Sequence, residues 1–251
     1  MPGVDHAAAL LGRVIAGRYQ TLAPLGHGGS GAVFAAVDLL TGREVALKHM
    51  RVGDAPDGVG EARARLEIAI LRRLQRPELL PGVARLLDDG GDGESVWLVM
   101  ERIHGAPFPG RRAGRNTPCE WEDLRGVTLA LLETLVHVHG AGVTHRDLKP
   151  ENVLVDESDQ PVLVDFGIAS TVEAFERGVT TAREVRGTPE HMAPELLHGG
   201  GDARSDLYAL GVMLVRALTC ESPFLPDGSP RPLGAGVPAH VAATCARLLA
   251  T

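Results

Sequence analysis

The run Leu25-Gly26-His27-Gly28-Gly29-Ser30-Gly31-Ala32-Val33 sets a cluster of glycines between two strand-like segments, and that setting constrains the fold more than any other feature. A glycine-rich turn leading from a strand into a helix opens a doubly wound parallel sheet, whereas one leading into a second strand closes an antiparallel hairpin. Here Tyr19–Leu25 and Ala32–Asp38 read as the two strands, and Arg43–Met50 as a third, reached through a turn at Gly42. Glycines in such a hairpin let backbone N–H groups approach phosphate oxygens without side-chain interference, although the run alone is equally well a flexible turn.

The pattern then changes along the chain. Gly60–Arg76 carries Leu66, Ile70, Leu71 and Leu74 at helical spacing and is stopped by Pro77. Val83–Leu87 and Val96–Met100 read as two further strands parted by a turn at Asp88–Gly93, and Ile103–Cys119, rich in Pro, Gly and Arg, reads as a connector. Beyond it Asp123–His139, Ser205–Thr219 and Pro238–Ala250 read as helices, the first two with wide apolar faces. The expectation is an α+β, bilobal chain. A leader over 1–18 precedes a small antiparallel sheet lobe with one helix at about 19–101, and a larger, mainly helical lobe follows at 102–251.

Composition removes several function classes. Of 251 residues 44% are hydrophobic and only 4% aromatic, so the core is expected to be aliphatic. A formal charge of -7 argues against a general nucleic-acid surface, which needs clustered Lys and Arg. Cys119, Cys220 and Cys245 lie too far apart for a metal-ligand spacing and read as reduced thiols. No secretory signal is visible, and the longest apolar stretches, around Val127–Leu135 and Leu207–Leu218, are broken by Glu133 and Arg216. The expected location is cytoplasmic, with no membrane segment in this chain.

Lys48 ends the apolar strand Val45-Ala46-Leu47-Lys48, either as a solvated strand-end lysine or as a functional cation. The next helix offers Glu67 among apolar neighbours as its partner, with Glu61 as the fallback. The most specific signal is His145-Arg146-Asp147-Leu148-Lys149-Pro150-Glu151-Asn152, followed by Asp165-Phe166-Gly167 and by Gly187-Thr188-Pro189-Glu190-His191-Met192-Ala193-Pro194-Glu195. With these motifs in order, the chain resembles the protein kinase superfamily over nearly its whole length, and within it the bacterial, eukaryotic-like serine/threonine kinases.

The resemblance implies a protein kinase-like fold and a reaction. ATP and Mg²⁺, with Mn²⁺ as an alternative ion, are the implied cofactors, and protein hydroxyls the substrates. Asp147 would accept or orient the hydroxyl proton, Lys149 would add positive charge near the transferred group, and Asn152 and Asp165 would be the metal ligands. Lys48, held by Glu67, would bind the α- and β-phosphates beneath a loop containing Leu25, Gly26, Gly28 and Gly31. Val33, Ala46 and Leu154 would enclose adenine, Met100 would be the gatekeeper, and Glu101–Ile103 would present the backbone that binds the base. Leu71, Leu86, His145 and Phe166 match the family's apolar stack, although ordinary core packing describes them equally well. Asp206 would hold the catalytic-loop backbone. Lys149 and Thr188 go with serine/threonine specificity, and Thr180 and Thr181 are candidates for autophosphorylation and a signalling role.

The end of the chain departs from the family pattern. Glu221–Val237 is short and rich in Pro and Gly, and an arginine partner for Glu195 is missing before Thr251. The expectation is a C-terminal truncation, with further domains or a partner chain supplying the missing surface. A catalytically dead pseudokinase and a small-molecule phosphotransferase are the alternatives. The retained Lys48, Asp147, Asn152 and Asp165 weigh against the first, and the full His145–Asn152 loop with Ala193-Pro194-Glu195 against the second.

Overall fold

The computed structural model describes residues 8–28, 31–52, 59–76, 78–110, 117–166, 191–198 and 201–250. They fall into two compact units. One holds the described residues up to Leu79 together with Ala84–Ile103, and the other Leu80–Val83 together with the described residues from His104 onward.

The first unit is built on β1 (Val14–Ile15), β2 (Tyr19–Gly28), β3 (Gly31–Asp38), β4 (Glu44–Arg51), β5 (Leu86–Gly91) and β6 (Ser95–Glu101). They form one antiparallel sheet in the order β1-β2-β3-β4-β6-β5. In β3 buried and half-buried residues alternate, as a strand with unlike faces requires, whereas β4 is buried at every position from Val45 to Met50. One face of the sheet carries a core of Tyr19, Ala32, Phe34, Ala36, Val45, Leu47 and Val99. Helix α1 (Val59–Leu74) packs against β4, β5 and β6. Its buried positions are Ala64, Glu67, Ile68, Leu71 and Leu74, spaced three or four apart. Leu66, expected on that face, is 45% exposed, because the stripe is turned to bring Glu67 inward.

The expected turn at Asp88–Gly93 is mostly strand. β5 runs to Gly91, and the reversal is made at Asp92–Glu94, where Asp92 accepts the N–H groups of Glu94 and Ser95. Val83, expected to begin that strand, instead forms a parallel bridge to Leu163 in the second unit.

The second unit contains β7 (Gly105–Pro107), α2 (Trp121–Gly140), β8 (Val153–Asp156), β9 (Pro161–Leu163), α3 (Ala203–Thr219) and α4 (Ala239–Leu248). β7, β8 and β9 make a small antiparallel sheet, so the expected connector Ile103–Cys119 contains a strand and the unit is less purely helical than its sequence suggests. Helix α2 buries Leu124, Val127, Thr128, Leu131, Thr134, Leu135 and Val138 along one side. Asp202 caps α3 by accepting the Arg204 N–H, and α3 is buried over most of its length. α4 packs on α3 where Gly211 leaves room, since a Cβ there would lie 2.8 Å from the Leu248 Cβ. Among the described residues, Glu221–Val237 forms no helix and is tied back on itself by a Phe224–Pro230 bridge and by Arg231, which bonds the Ser222 carbonyl and pairs with Glu221.

Candidate active site

In the first unit, strand register decides which side chains share a face. Val33 pairs with Lys48 and Lys48 with Leu98, while Ala35 pairs with Ala46 and Ala46 with Met100. Alternation therefore puts Val33, Ala46, Lys48 and Met100 on one face, opposite Phe34, Leu47 and Val99. Lys48 Nζ donates to both carboxylate oxygens of Glu67 at 2.9 Å, and the two residues are 1% and 4% exposed. Glu61, the other candidate partner, lies toward solvent and takes Arg65 at 2.5 Å, one helical turn on. The structure thus brings Lys48 to Glu67 and leaves Glu61 outside. Burying both charges carries a desolvation cost that a merely stabilising contact would rarely repay, so the pair points to chemistry.

The hairpin residues lie at the end of β2 and the start of β3. Gly28 pairs with Gly31, and Leu25 is 39% exposed beside a register shift between Pro24 and Gly26. A Cβ added at Gly26 would meet nothing within 4 Å, so its backbone is open to a ligand. Gly31 has φ +124, and a Cβ there would lie 2.5 Å from the His49 carbonyl oxygen, so only glycine lets the hairpin approach β4. Gly29 and Ser30 lie outside the described residues. At the end of β6, Met100 is buried and Glu101 is latched to Arg85: its N–H donates to the Arg85 carbonyl at 2.9 Å and its carboxylate accepts the Arg85 N–H at 2.8 Å. Ile103 is half-buried.

In the second unit, the segment between α2 and β8 is hung from one buried carboxylate. Asp206, 1% exposed on the first turn of α3, accepts the backbone N–H groups of His145 and Arg146, both at 2.8 Å. It also pairs with His139 Nε2 at 2.8 Å. These bonds sustain Arg146 at φ 66, a left-handed conformation that costs a non-glycine residue about 1–3 kcal/mol. His145 lies between Val164 O, 3.2 Å from Nε2, and the Asp147 N–H, 3.4 Å from Nδ1. That arrangement suits the tautomer in which Nε2 donates to the Val164 carbonyl and Nδ1 accepts from the Asp147 N–H. The ring also packs against Phe166 with centroids 4.7 Å apart and the planes tilted by 34°, so His145 and Phe166 meet within this unit.

Asp147 is thereby presented with its carboxylate partly exposed. One oxygen, Oδ2, accepts Lys149 Nζ at 2.6 Å and Asn152 Nδ2 at 3.0 Å. Asn152 Nδ2 also donates to the Asp147 carbonyl at 2.8 Å, which fixes the amide. Asp165 has φ 57, and its carbonyl lies 3.5 Å from Asn152 Nδ2. Asn152 and Asp165 are thus brought close together, and each carries a hard side-chain oxygen. Among the described residues there is no cluster of three or more His, Cys, Asp or Glu able to enclose an ion. Two oxygens without such a cage fit Mg²⁺ or Mn²⁺ that takes its other ligands from phosphate and water. Leu154 lies half-buried on β8, in register with Pro107 and Val162. Gly167, Thr180, Thr181 and Thr188 lie outside the described residues.

Three contributors were not singled out from the sequence. His139 supports Asp206 from α2, and Ser205 Oγ donates to Glu195 Oε1 at 2.7 Å, so Glu195 has a partner on α3. His191 has both ring nitrogens shielded from solvent. The first two contacts join positions 67 and 10 residues apart, and no local pattern marks them.

Comparison with known proteins gives the same picture. Residues 19–232 match the family described as protein kinase domain. The chain is 39% identical, over 95% of its length, to the DNA damage-responsive serine/threonine-protein kinase RqkA of Deinococcus radiodurans. It is 36% identical over 84% to a probable serine/threonine-protein kinase PknB of Corynebacterium glutamicum, and 32% identical over 86% to the serine/threonine-protein kinase PrkC of Bacillus subtilis. It covers 37%, 33% and 32% of those proteins, so it spans about a third of the length of the curated relatives it matches.

Proposed function

Because the chain belongs to the protein kinase family and carries the kinase domain of the bacterial serine/threonine-protein kinases, we propose that it transfers the γ-phosphoryl group of ATP to serine and threonine hydroxyls of proteins, itself included. One observation carries this reading: Asp147 Oδ2 is engaged by Lys149 and Asn152, which orients the carboxylate toward an incoming hydroxyl.

In the proposed step the substrate hydroxyl oxygen forms a bond to the γ-phosphorus. The bond from that phosphorus to the β–γ bridging oxygen breaks, ADP leaves with the electron pair, and the hydroxyl proton passes to Asp147. Lys149 places positive charge beside the transferred group, and Lys48, held by Glu67, binds the α- and β-phosphates. Asn152 Oδ1 and the Asp165 carboxylate would hold Mg²⁺ or Mn²⁺. When bound, that ion neutralises charge on the phosphate oxygens. Gly26, Gly28 and Gly31 would offer backbone N–H groups, and Leu25, Val33, Ala46 and Met100 of the first unit would line the adenine site, with the Glu101 and Ile103 backbone binding the base's edge. We assign the kinase domain to 19–251, with a leader at 1–18, and Thr180 and Thr181 as autophosphorylation sites.

No helix among the described residues is long and apolar enough to cross a membrane. A cytoplasmic signalling enzyme acting on proteins rather than nucleic acid accords with that and with the charge of -7. The test is transfer from labelled ATP with Mg²⁺ to a generic basic protein, comparing the wild type with Asp147→Asn and Lys48→Met. Both changes should abolish transfer. Transfer that survives both would remove the mechanism, and a wild type that binds ATP without transfer would mark a pseudokinase.

A further inference from the structure

Cys119 and Cys220 are far apart in the chain and have no part in the proposed reaction, yet the end of α3 brings them together. All three cysteines are thiols. Cys245 is buried on α4, Cys119 is half-buried just before α2, and Cys220 is exposed.

Helix α3 ends at Thr219, and Cys220 caps it with φ 57, a left-handed turn out of the helix. The Cys220 N–H still reaches back to the Arg216 carbonyl at 2.7 Å. In a continued helix the next carbonyl, that of Ala217, would accept the N–H of residue 221. Here the Glu221 N–H donates to Thr219 Oγ1 at 3.1 Å instead, and the Ala217 carbonyl takes the Cys119 N–H at 2.8 Å. Cys119 therefore stands in for the residue that would have followed Cys220 in the helix. Successive residues have Cα atoms about 3.8 Å apart and disulfides span Cα separations of about 4.4–6.8 Å, so a residue docked in that place is within disulfide reach of Cys220. A helical side chain leans back toward the N-terminus, whereas the left-handed φ of Cys220 turns its Cβ forward, past the last turn, where Cys119 is docked.

We propose that Cys119 and Cys220 form a redox-modification site, at which a low-molecular-weight disulfide converts the two thiols into an intramolecular disulfide tying the entry of α2 to the end of α3. The exposed Cys220 thiolate attacks one sulfur of the oxidant, forming a mixed disulfide and expelling one small thiol. Cys119 then attacks the Cys220 sulfur and expels the second. The protein loses two electrons and two protons, and the oxidant is reduced to two thiols. In a reducing compartment such a bond is transient, as befits a sensor rather than a structural staple. The loop it closes contains α2, the His145–Asn152 segment and α3, so the bond restricts the unfolded chain across the part of the unit that carries Asp147 and stabilises the folded form.

The test treats the wild type with oxidised glutathione, alkylates the remaining thiols, and maps the digested protein by mass spectrometry beside thermal melts. A peptide containing Cys119 should be found joined to one containing Cys220, in protein that runs as a monomer on a non-reducing gel. The melting temperature should rise by about 5 °C or more and fall back with dithiothreitol, and neither Cys119→Ser nor Cys220→Ser should show the rise. Glutathione retained on Cys220 with Cys119 alkylated, a link to Cys245, or a link only between two chains overturns the proposal, and a linked protein whose melting temperature does not rise overturns the stabilising role. The peptide map is read on the wild type, so it decides the matter even where a serine variant folds poorly. None of these outcomes bears on the kinase reading.

Discussion

Ser205 Oγ donates to Glu195 Oε1 at 2.7 Å, and its neighbour Asp206 accepts the N–H groups of His145 and Arg146, so adjacent residues of one helix turn hold two separate segments of the candidate site. Ser205 is 1% exposed, and its loss would leave Glu195 short of a donor. Ser205→Ala should cost about 1.5–3 kcal/mol in urea denaturation, the range for a hydrogen bond to a charged group. Asp206→Asn removes one acceptor oxygen and the charge facing His139, and should lower kcat about 100-fold, the scale of an ångström's misplacement, with the ATP KM little changed. Full activity in Asp206→Asn would show that the loop is held by other means.

The Lys48–Glu67 pair separates function from stability. Lys48→Met leaves the Glu67 carboxylate buried without its cation and should destabilise by about 3–5 kcal/mol. The double variant Lys48→Met/Glu67→Leu also removes that buried carboxylate and should recover most of that stability in thermal melts, while transfer from ATP stays abolished. Restored transfer in the double variant would make the pair structural.

The two ends of the glycine hairpin should respond differently. Gly31→Ala forces a Cβ against the His49 carbonyl at a φ of +124, and should cost about 1–3 kcal/mol together with weaker ATP binding. Gly26→Ala meets open space and should leave stability within about 0.5 kcal/mol, so any fall in ATP affinity there reports the ligand alone. Chemical denaturation and ATP titration check both.

Stability should fall toward both extremes of pH for identifiable reasons. Burial pushes the Cys245 thiol up to about 11 from an ordinary value of 9.0. Between those values the unfolded chain has lost a proton that the folded chain keeps, so stability declines as pH rises from 9 toward 11. Cys245→Ala should flatten that limb in a series of melting temperatures against pH. On the acid side His191 is held below 6.5, so the unfolded chain takes up a proton first and stability declines as pH falls through 6.5. His191→Phe should reduce that slope.

Much of the sheet was legible because strand-forming runs and the Gly turns between β2, β3 and β4 are local signals. β5 was not. Asp88-Asp89-Gly90-Gly91 has turn composition, yet it lies in a strand because distant groups satisfy it. Tyr19 and Arg18 donate to Asp88 at 2.5 and 3.2 Å, Arg72 pairs with Asp89 at 2.6 Å, and the Trp97 ring occupies the space where a Cβ at Gly90 would lie. Leu66 was misjudged because the apolar count on α1 gave Ala64 too little weight and took no account of an inward glutamate. His139 and Ser205 could not be found, since their roles exist only through Asp206 and Glu195.

By itself the sequence offered the groups that the proposed reaction uses: a glycine hairpin between strands, a strand-end lysine, and the ordered carboxylates and amide at Asp147, Asn152 and Asp165. Residue type and short spacing suffice for that, because hairpins, helix faces and a six-residue loop are local objects. Only the tertiary structure decided which glutamate meets Lys48, that one helix turn holds both the His145–Arg146 backbone and the Glu195 segment, and that among the described residues neither ring nitrogen of His191 has a hydrogen-bond partner. Those outcomes depend on burial and on partners far apart in the chain, and whether a polar group is satisfied is settled only when the chain has folded around it.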